Sequence, residues 1–144
     1  VVIDEFDHVS AKLLLVEALR DLSDLSEVPF VFVGMGKVRD NLKRLPQVSS
    51  RVARYVTFEP SDQQDVQKFL DEQCEVKVAP DLAAFVTKVT GGYNREVREA
   101  IVSIERFGFR VDPGEIGLTL ADMAGQFLTN DRYTGQAIYV PEAR

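Results

Sequence analysis

The 144-residue chain carries 17 Lys and Arg against 23 Asp and Glu, a formal net charge of −6, with 45% hydrophobic and 28% charged residues. That is the mix of a globular domain able to bury a sizeable core, and no apolar run approaches the roughly 20 residues that a membrane-spanning helix needs. A single cysteine, Cys74, and a single histidine, His8, exclude an internal disulfide and a Cys/His zinc cluster.

Val1-Val2-Ile3 reads as a buried strand ending in Asp4-Glu5. It opens without a methionine, in what looks like the middle of a structural element, so the expectation is a piece of something longer. Residues 10–25 carry Leu14, Leu15, Ala18, Leu19 and Leu22 at helical spacing. Val28 to Val33 is a second apolar run, with Pro29 near its start and Gly34 at its close. Strand, helix, strand, with both strands apolar throughout, predicts a βαβ unit in a covered parallel sheet. A short basic helix or loop follows over residues 36–45, then Pro46, then an expected strand over residues 52–58.

Pro60 ends that strand. Ser61 and Gln64, at capping-box spacing, open a helix with Val66, Phe69 and Leu70. Asp81 starts another, with Leu82, Phe85, Val86 and Val89 on one face, stopped by Gly91-Gly92. A third carries Val97, Ala100, Ile101, Ile104 and Phe107. After a turn at Asp112-Pro113-Gly114, Thr119 to Asp122 has capping-box spacing and predicts a helix with Leu120, Met123, Ala124 and Phe127. Tyr133 to Val140, around Thr134-Gly135, suggests a small hairpin.

Charge is unevenly spread. Residues 1–33 hold two basic against seven acidic side chains, whereas residues 34–58 hold Lys37, Arg39, Lys43, Arg44, Arg51 and Arg54 against Asp40 alone. The basic segment is either a solvated helix face or a surface for phosphate, nucleotide or nucleic acid.

Carboxylates at the carboxyl edge of a parallel sheet lie where open α/β folds bind ligands. An Asp there can hold Mg²⁺ through its water shell, and the neighbouring Glu can polarise a water for attack on a γ-phosphate. The bland alternative is an acidic strand end with no role.

Val1-Val2-Ile3-Asp4-Glu5-Phe6-Asp7-His8 resembles the Walker B motif of AAA+ ATPases, in which apolar residues precede Asp-Glu. Further landmarks follow in that family's order. Val31-Phe32-Val33-Gly34-Met35 stands in the place of sensor 1. Val48-Ser49-Ser50-Arg51 resembles the Ser-Arg of the arginine finger, and Gly92-Tyr93-Asn94-Arg95 resembles the Gly-x-x-Arg of sensor 2. Val33-Gly34-Met35, Leu45 to Arg51, Thr90 to Val97, Leu120 to Gly125 and Thr129 to Arg132 are more specifically similar to the phage transposition ATPases of the Mu B and TniB type.

The resemblance implies an α/β fold. Residues 1–58 would be the C-terminal half of a P-loop NTPase parallel sheet, residues 59–110 the helical lid, and residues 111–144 a C-terminal helix and tail, with a hinge near Glu59-Pro60-Ser61. It implies an ATPase of a bacterial host cytoplasm, using ATP and Mg²⁺. Such an ATPase assembles as a homo-oligomeric ring or filament, binds DNA without sequence preference and stimulates a transposase. Asp4 would hold Mg²⁺ through water and Glu5 would activate the attacking water. Arg51, with Arg54 as its alternative, would reach a neighbouring subunit's γ-phosphate, and Arg95 would contact the nucleotide from the lid. Lys37, Arg39, Lys43 and Arg44 would face DNA phosphates. Surface arginines without such roles are the competing reading.

The Gly-x-x-x-x-Gly-Lys-Ser/Thr phosphate loop is not among these residues and is expected upstream of Val1, so these residues alone are not expected to hydrolyse ATP. Met35 stands where sensor 1 is usually polar, so either another residue orients the water or hydrolysis is slow. Two other readings are a secretion- or pilus-type AAA+ switch, and a non-catalytic module that docks a partner through residues 59–144.

Overall fold

A computed structural model describes residues 1–142, which form two compact units, residues 1–57 and residues 58 onward.

The first unit is built on a βαβ arrangement. Strand β1 (Val2–Ile3) pairs in parallel with β2 (Val31–Phe32), Val2 opposite Val31 and Ile3 opposite Phe32. Helices α1 (Asp7–Ser10) and α2 (Leu13–Ser26) make the crossover, and α3 (Lys37–Lys43) and α4 (Pro46–Ser49) follow β2. Phe6, Val16, Val38, Leu42 and Val48 form the core, with Ile3, Val9, Leu19, Phe32 and Leu45 packed against them. The Phe6 and Phe32 rings stack with centroids 4.0 Å apart.

Three expectations for this unit are corrected. The strands are covered on one face only: Val2 is 68% and Val31 52% exposed, while Ile3 and Phe32 turn to the core. Helix α2 buries Val16 and half-buries Leu19, yet leaves Leu14 (80%), Leu15, Leu22 and Leu25 (85%) in solvent. At about 100° per residue, Leu14, Ala18 and Leu22 lie far round the helix from Val16. The pattern was real, but it is the other stripe that meets the core. Residues 52–58 form no strand, and Tyr55, Val56 and Phe58 are exposed. A strand exists only through a partner, and among the described residues this segment pairs with none.

The second unit packs α5 (Gln63–Gln73), α6 (Pro80–Thr90) and α7 (Asn94–Gly108) around Val66, Leu70, Leu82, Val86, Val97, Ile101 and Ile104. Its α5 begins one residue later than its sequence suggested. Asp62, not Ser61, is the cap: Asp62 Oδ1 accepts from Gln64 N at 2.8 Å and from Asp65 N at 2.9 Å, and the Asp65 carboxylate accepts from Asp62 N. A carboxylate also complements the positive end of the helix dipole better than a hydroxyl does.

Residues beyond 110 complete this same core. Val78 bridges in parallel to Leu118, and Leu118, Met123, Leu128 and Val140 are buried with the helices. The expected C-terminal helix is absent here. Thr119 and Asp122 do exchange the reciprocal bonds of a capping box, and the Thr119 hydroxyl and N–H, both donating to Asp122 Oδ2, hold the Asp122 carboxyl below its ordinary range. The chain then makes only a turn, because Gly125 N and Gln126 O both bond to Val140 and draw it into a hairpin. That hairpin consists of β3 (Phe127–Asn130) and β4 (Ala137–Tyr139), antiparallel, with a bulge between Phe127 and Thr129. The strand that contains Phe127 thus replaces the predicted helix end.

Asp131 closes the hairpin turn. Its Oδ1 accepts from Thr134 N at 2.7 Å, Thr134 Oγ1 at 2.8 Å and Tyr133 N at 3.0 Å, and these bonds lower its pKa from the ordinary carboxyl value. A depressed folded-state value means that the stabilisation is present above the unfolded value of about 3.9 and is lost as pH falls through the folded value. Asp131→Asn is therefore expected to flatten the acid limb of the unfolding curve below about pH 4, read by circular dichroism. An unchanged acid limb would show that these bonds do not form in solution.

Candidate functional site

The carboxyl edge of the β1–β2 pair gathers Asp4, Glu5, Asp7, Gly34 and Met35. The ladder continues past the strands through Val33 N to Ile3 O and Phe6 N to Val33 O, both 2.9 Å. Asp4 Oδ1 accepts from Glu5 N at 2.7 Å. Glu5 takes a left-handed backbone with φ 53°, a conformation that costs a residue with a Cβ about 1–2 kcal/mol. The other such residue among those described, Glu27 (φ 54°), ends α2 as its C-cap, where this conformation is common. Glu5 ends no helix. Its side chain and that of Asp4 are exposed.

Asp7 was not singled out from its sequence context, yet it is the acid that ties the edge together. Its Oδ2 accepts from Met35 N at 2.5 Å, across the gap between the two strand ends. Gly34 permits this approach: a Cβ there would strike the Asp7 carboxylate and come within 2.7 Å of Val38 Cγ2. The Met35 side chain is 75% exposed. Among the described residues no three His, Cys, Asp or Glu side chains gather as a metal cluster.

Arg51 follows α4 and forms an ion pair with Asp24 of α2. The crossover helix returns the chain from the carboxyl end of β1 to the start of β2, so Asp24, near the end of α2, belongs to the opposite end of the βαβ unit from Asp4 and Glu5. The unit therefore does not bring Arg51 to its own carboxylate pair. Arg54 lies in the unpaired segment and has no side-chain partner among the described residues.

Lys37, Arg39, Lys43 and Arg44 are all exposed on and just after α3. At about 100° per residue they do not form one uninterrupted stripe, because Asp40 falls between Lys43 and Arg44, and Lys43 Nζ lies 3.9 Å from it. Arg39 sits over the Tyr55 ring, 5.1 Å from its centroid, an aromatic partner that chain folding supplies.

Arg95 occupies the first turn of α7, exposed, beside a depression lined by Phe69, Asn94, Arg98, Glu99 and Val102. A cation at the positive end of a helix dipole is unfavourable for the helix itself and leaves the position suited to an anion. The turn before it is held firmly: Ser61 N donates to Gly92 O at 2.9 Å, and Gly92 has φ +74°. Arg132 of the hairpin turn braces the same helix end, with Cζ 3.7 Å from the Tyr93 ring centroid and Nε 3.9 Å from Glu96 Oε1. Arg132 entered the sequence reading only as the end of the Thr129 to Arg132 resemblance, and neither contact was legible there, since both span more than thirty residues.

Comparison with protein-family models, with curated proteins and with solved structures returns no match. Among the described residues, no helix is long and apolar enough to cross a membrane.

Proposed function

We propose that this chain is the C-terminal part of an AAA+ ATPase that serves DNA transposition, with its phosphate loop upstream of Val1. The observation that carries the reading is Glu5, held in a strained left-handed backbone at the carboxyl edge of a parallel strand pair, with its own N–H bonded to Asp4 Oδ1 and the N–H of the next residue, Phe6, bonded to Val33 O. Strain of this kind persists where a side chain must be aimed. In this reading Glu5 takes a proton from the water that attacks the γ-phosphorus, the bond to the β-phosphate oxygen breaks, and ADP leaves. Asp4 holds Mg²⁺ through water. Arg95 meets the nucleotide from the lid, and Arg51 acts on a neighbouring subunit, in keeping with its place away from Glu5. The protein works in a bacterial host cytoplasm as a ring or filament that carries DNA to a transposase.

Lys37, Arg39, Lys43 and Arg44 contact DNA phosphates only when several subunits align them, because the single α3 face is interrupted by Asp40. ATP is therefore expected to tighten DNA binding by the full-length protein by about 5–150-fold, the usual range of coupling between sites. Fluorescence anisotropy with and without ATP at fixed salt measures this. Equal affinity in both conditions would remove the transposition reading and leave a different AAA+ switch.

A further inference from the structure

Arg20 and Asp24 are four residues apart on α2, and Gln47 and Arg51 are four apart along α4 and the turn after it, so each pair projects from one face. Two rungs join these faces. Arg20 Nη1 donates to Gln47 Oε1 at 2.9 Å, and Arg51 Nη1 donates to Asp24 Oδ1. Arg20 is itself held by Asp21, whose Oδ1 accepts from Nε at 2.9 Å and Nη2 at 2.5 Å.

A guanidinium offers five N–H donors in a rigid fork. Among the described residues only Nη1 of the Arg51 guanidinium is engaged, and Arg51 lines an open depression together with Arg20, Asp21, Asp24, Gln47 and Ser50. An exposed ion pair of this kind adds little to stability, because solvent screens it. What it does is remove rotamers from a long side chain, so that the remaining donors leave the surface in one direction. Arg54, the alternative to Arg51, has no such anchor among the described residues.

We propose that Asp24 is a positioning residue for Arg51, fixing one corner of the guanidinium so that its other donors are presented to an anionic phosphate on a neighbouring copy of the chain. This rests on the reading of Arg51 as a finger that acts in trans. The rung from Arg20 to Gln47 keeps the start of α4 in register with α2, and so keeps Arg51 opposite Asp24.

The test uses the full-length protein with Asp24→Ala, Asp24→Glu, Arg51→Ala and Glu5→Gln. Asp24→Ala is expected to lower kcat for ATP at least tenfold with KM unchanged, and Asp24→Glu to recover part of the loss. Mixing Asp24→Ala subunits with Glu5→Gln subunits is expected to restore turnover. Each Glu5→Gln subunit then presents a well-held Arg51 to a neighbour whose Glu5 is intact, a rescue that a mere folding defect in Asp24→Ala would not give. Wild-type turnover in Asp24→Ala, or no restoration on mixing, overturns the proposal. Wild-type turnover in Arg51→Ala instead overturns the reading of Arg51 on which it rests.

Discussion

Glu5→Gln in the full-length protein is expected to abolish ATP turnover, by at least about 100-fold, the lower end of what a positioned general base contributes, and to leave nucleotide and Mg²⁺ binding intact. The amide has the shape of the carboxylate and suits the same left-handed backbone, so the edge of the sheet is not disturbed. It cannot accept the proton of the attacking water. Asp4 Oδ1 still accepts from the backbone N–H of position 5. Phosphate release measured alongside fluorescent-nucleotide binding separates the two effects. Turnover equal to wild type would take Glu5 out of its role and return Asp4-Glu5 to an acidic strand end.

Gly92→Ala is the largest structural effect expected, a loss of about 3–5 kcal/mol, at the severe end of single substitutions. Two costs combine. At φ +74° any Cβ is strained, and here it would be driven into the backbone carbonyl of Ser61, which has no flexible end to move aside. Displacing Ser61 also breaks its bond to Gly92 O and disturbs Asp62, the cap of α5. Gly91→Ala is the control. It has a similar φ of +60°, but its Cβ would meet only the Tyr93 ring at an ordinary 3.5 Å, so its cost is the backbone penalty of about 1–2 kcal/mol alone. Thermal unfolding of the two variants distinguishes them. Equal shifts would mean that the Ser61 contact is not made.

Much of the second unit was legible because its signals are local. Asp81 in a first turn, Gly91 at a C-cap and the Val97 to Ile104 spacing each act within a few residues, and α6 and α7 form where they predict. The acidic edge at Asp4-Glu5 was legible as composition. Its tie through Asp7 to Met35 N was not, because nothing near Asp7 in the chain announces a partner twenty-eight residues on.

The failures share a cause. Thr119 and Asp122 make the local cap they promise, but bonds to Val140 turn the chain into a strand before a helix can propagate. Residues 52–58 have the side chains of a strand and, among the described residues, no partner. Helix α2 forms as its leucines predict, yet the core takes Val16 instead.

By itself, then, the sequence determined the order of strand and helix, the caps and stops, and the acidic, basic and glycine positions, since these depend on backbone preference and neighbouring side chains. Only the tertiary structure decided which stripe of α2 is buried and which residues complete the second core. It also decided that Arg51 is held by Asp24 and that Glu5 carries the strain. Those outcomes depend on contacts between residues far apart in the chain, whose free energy no local window contains.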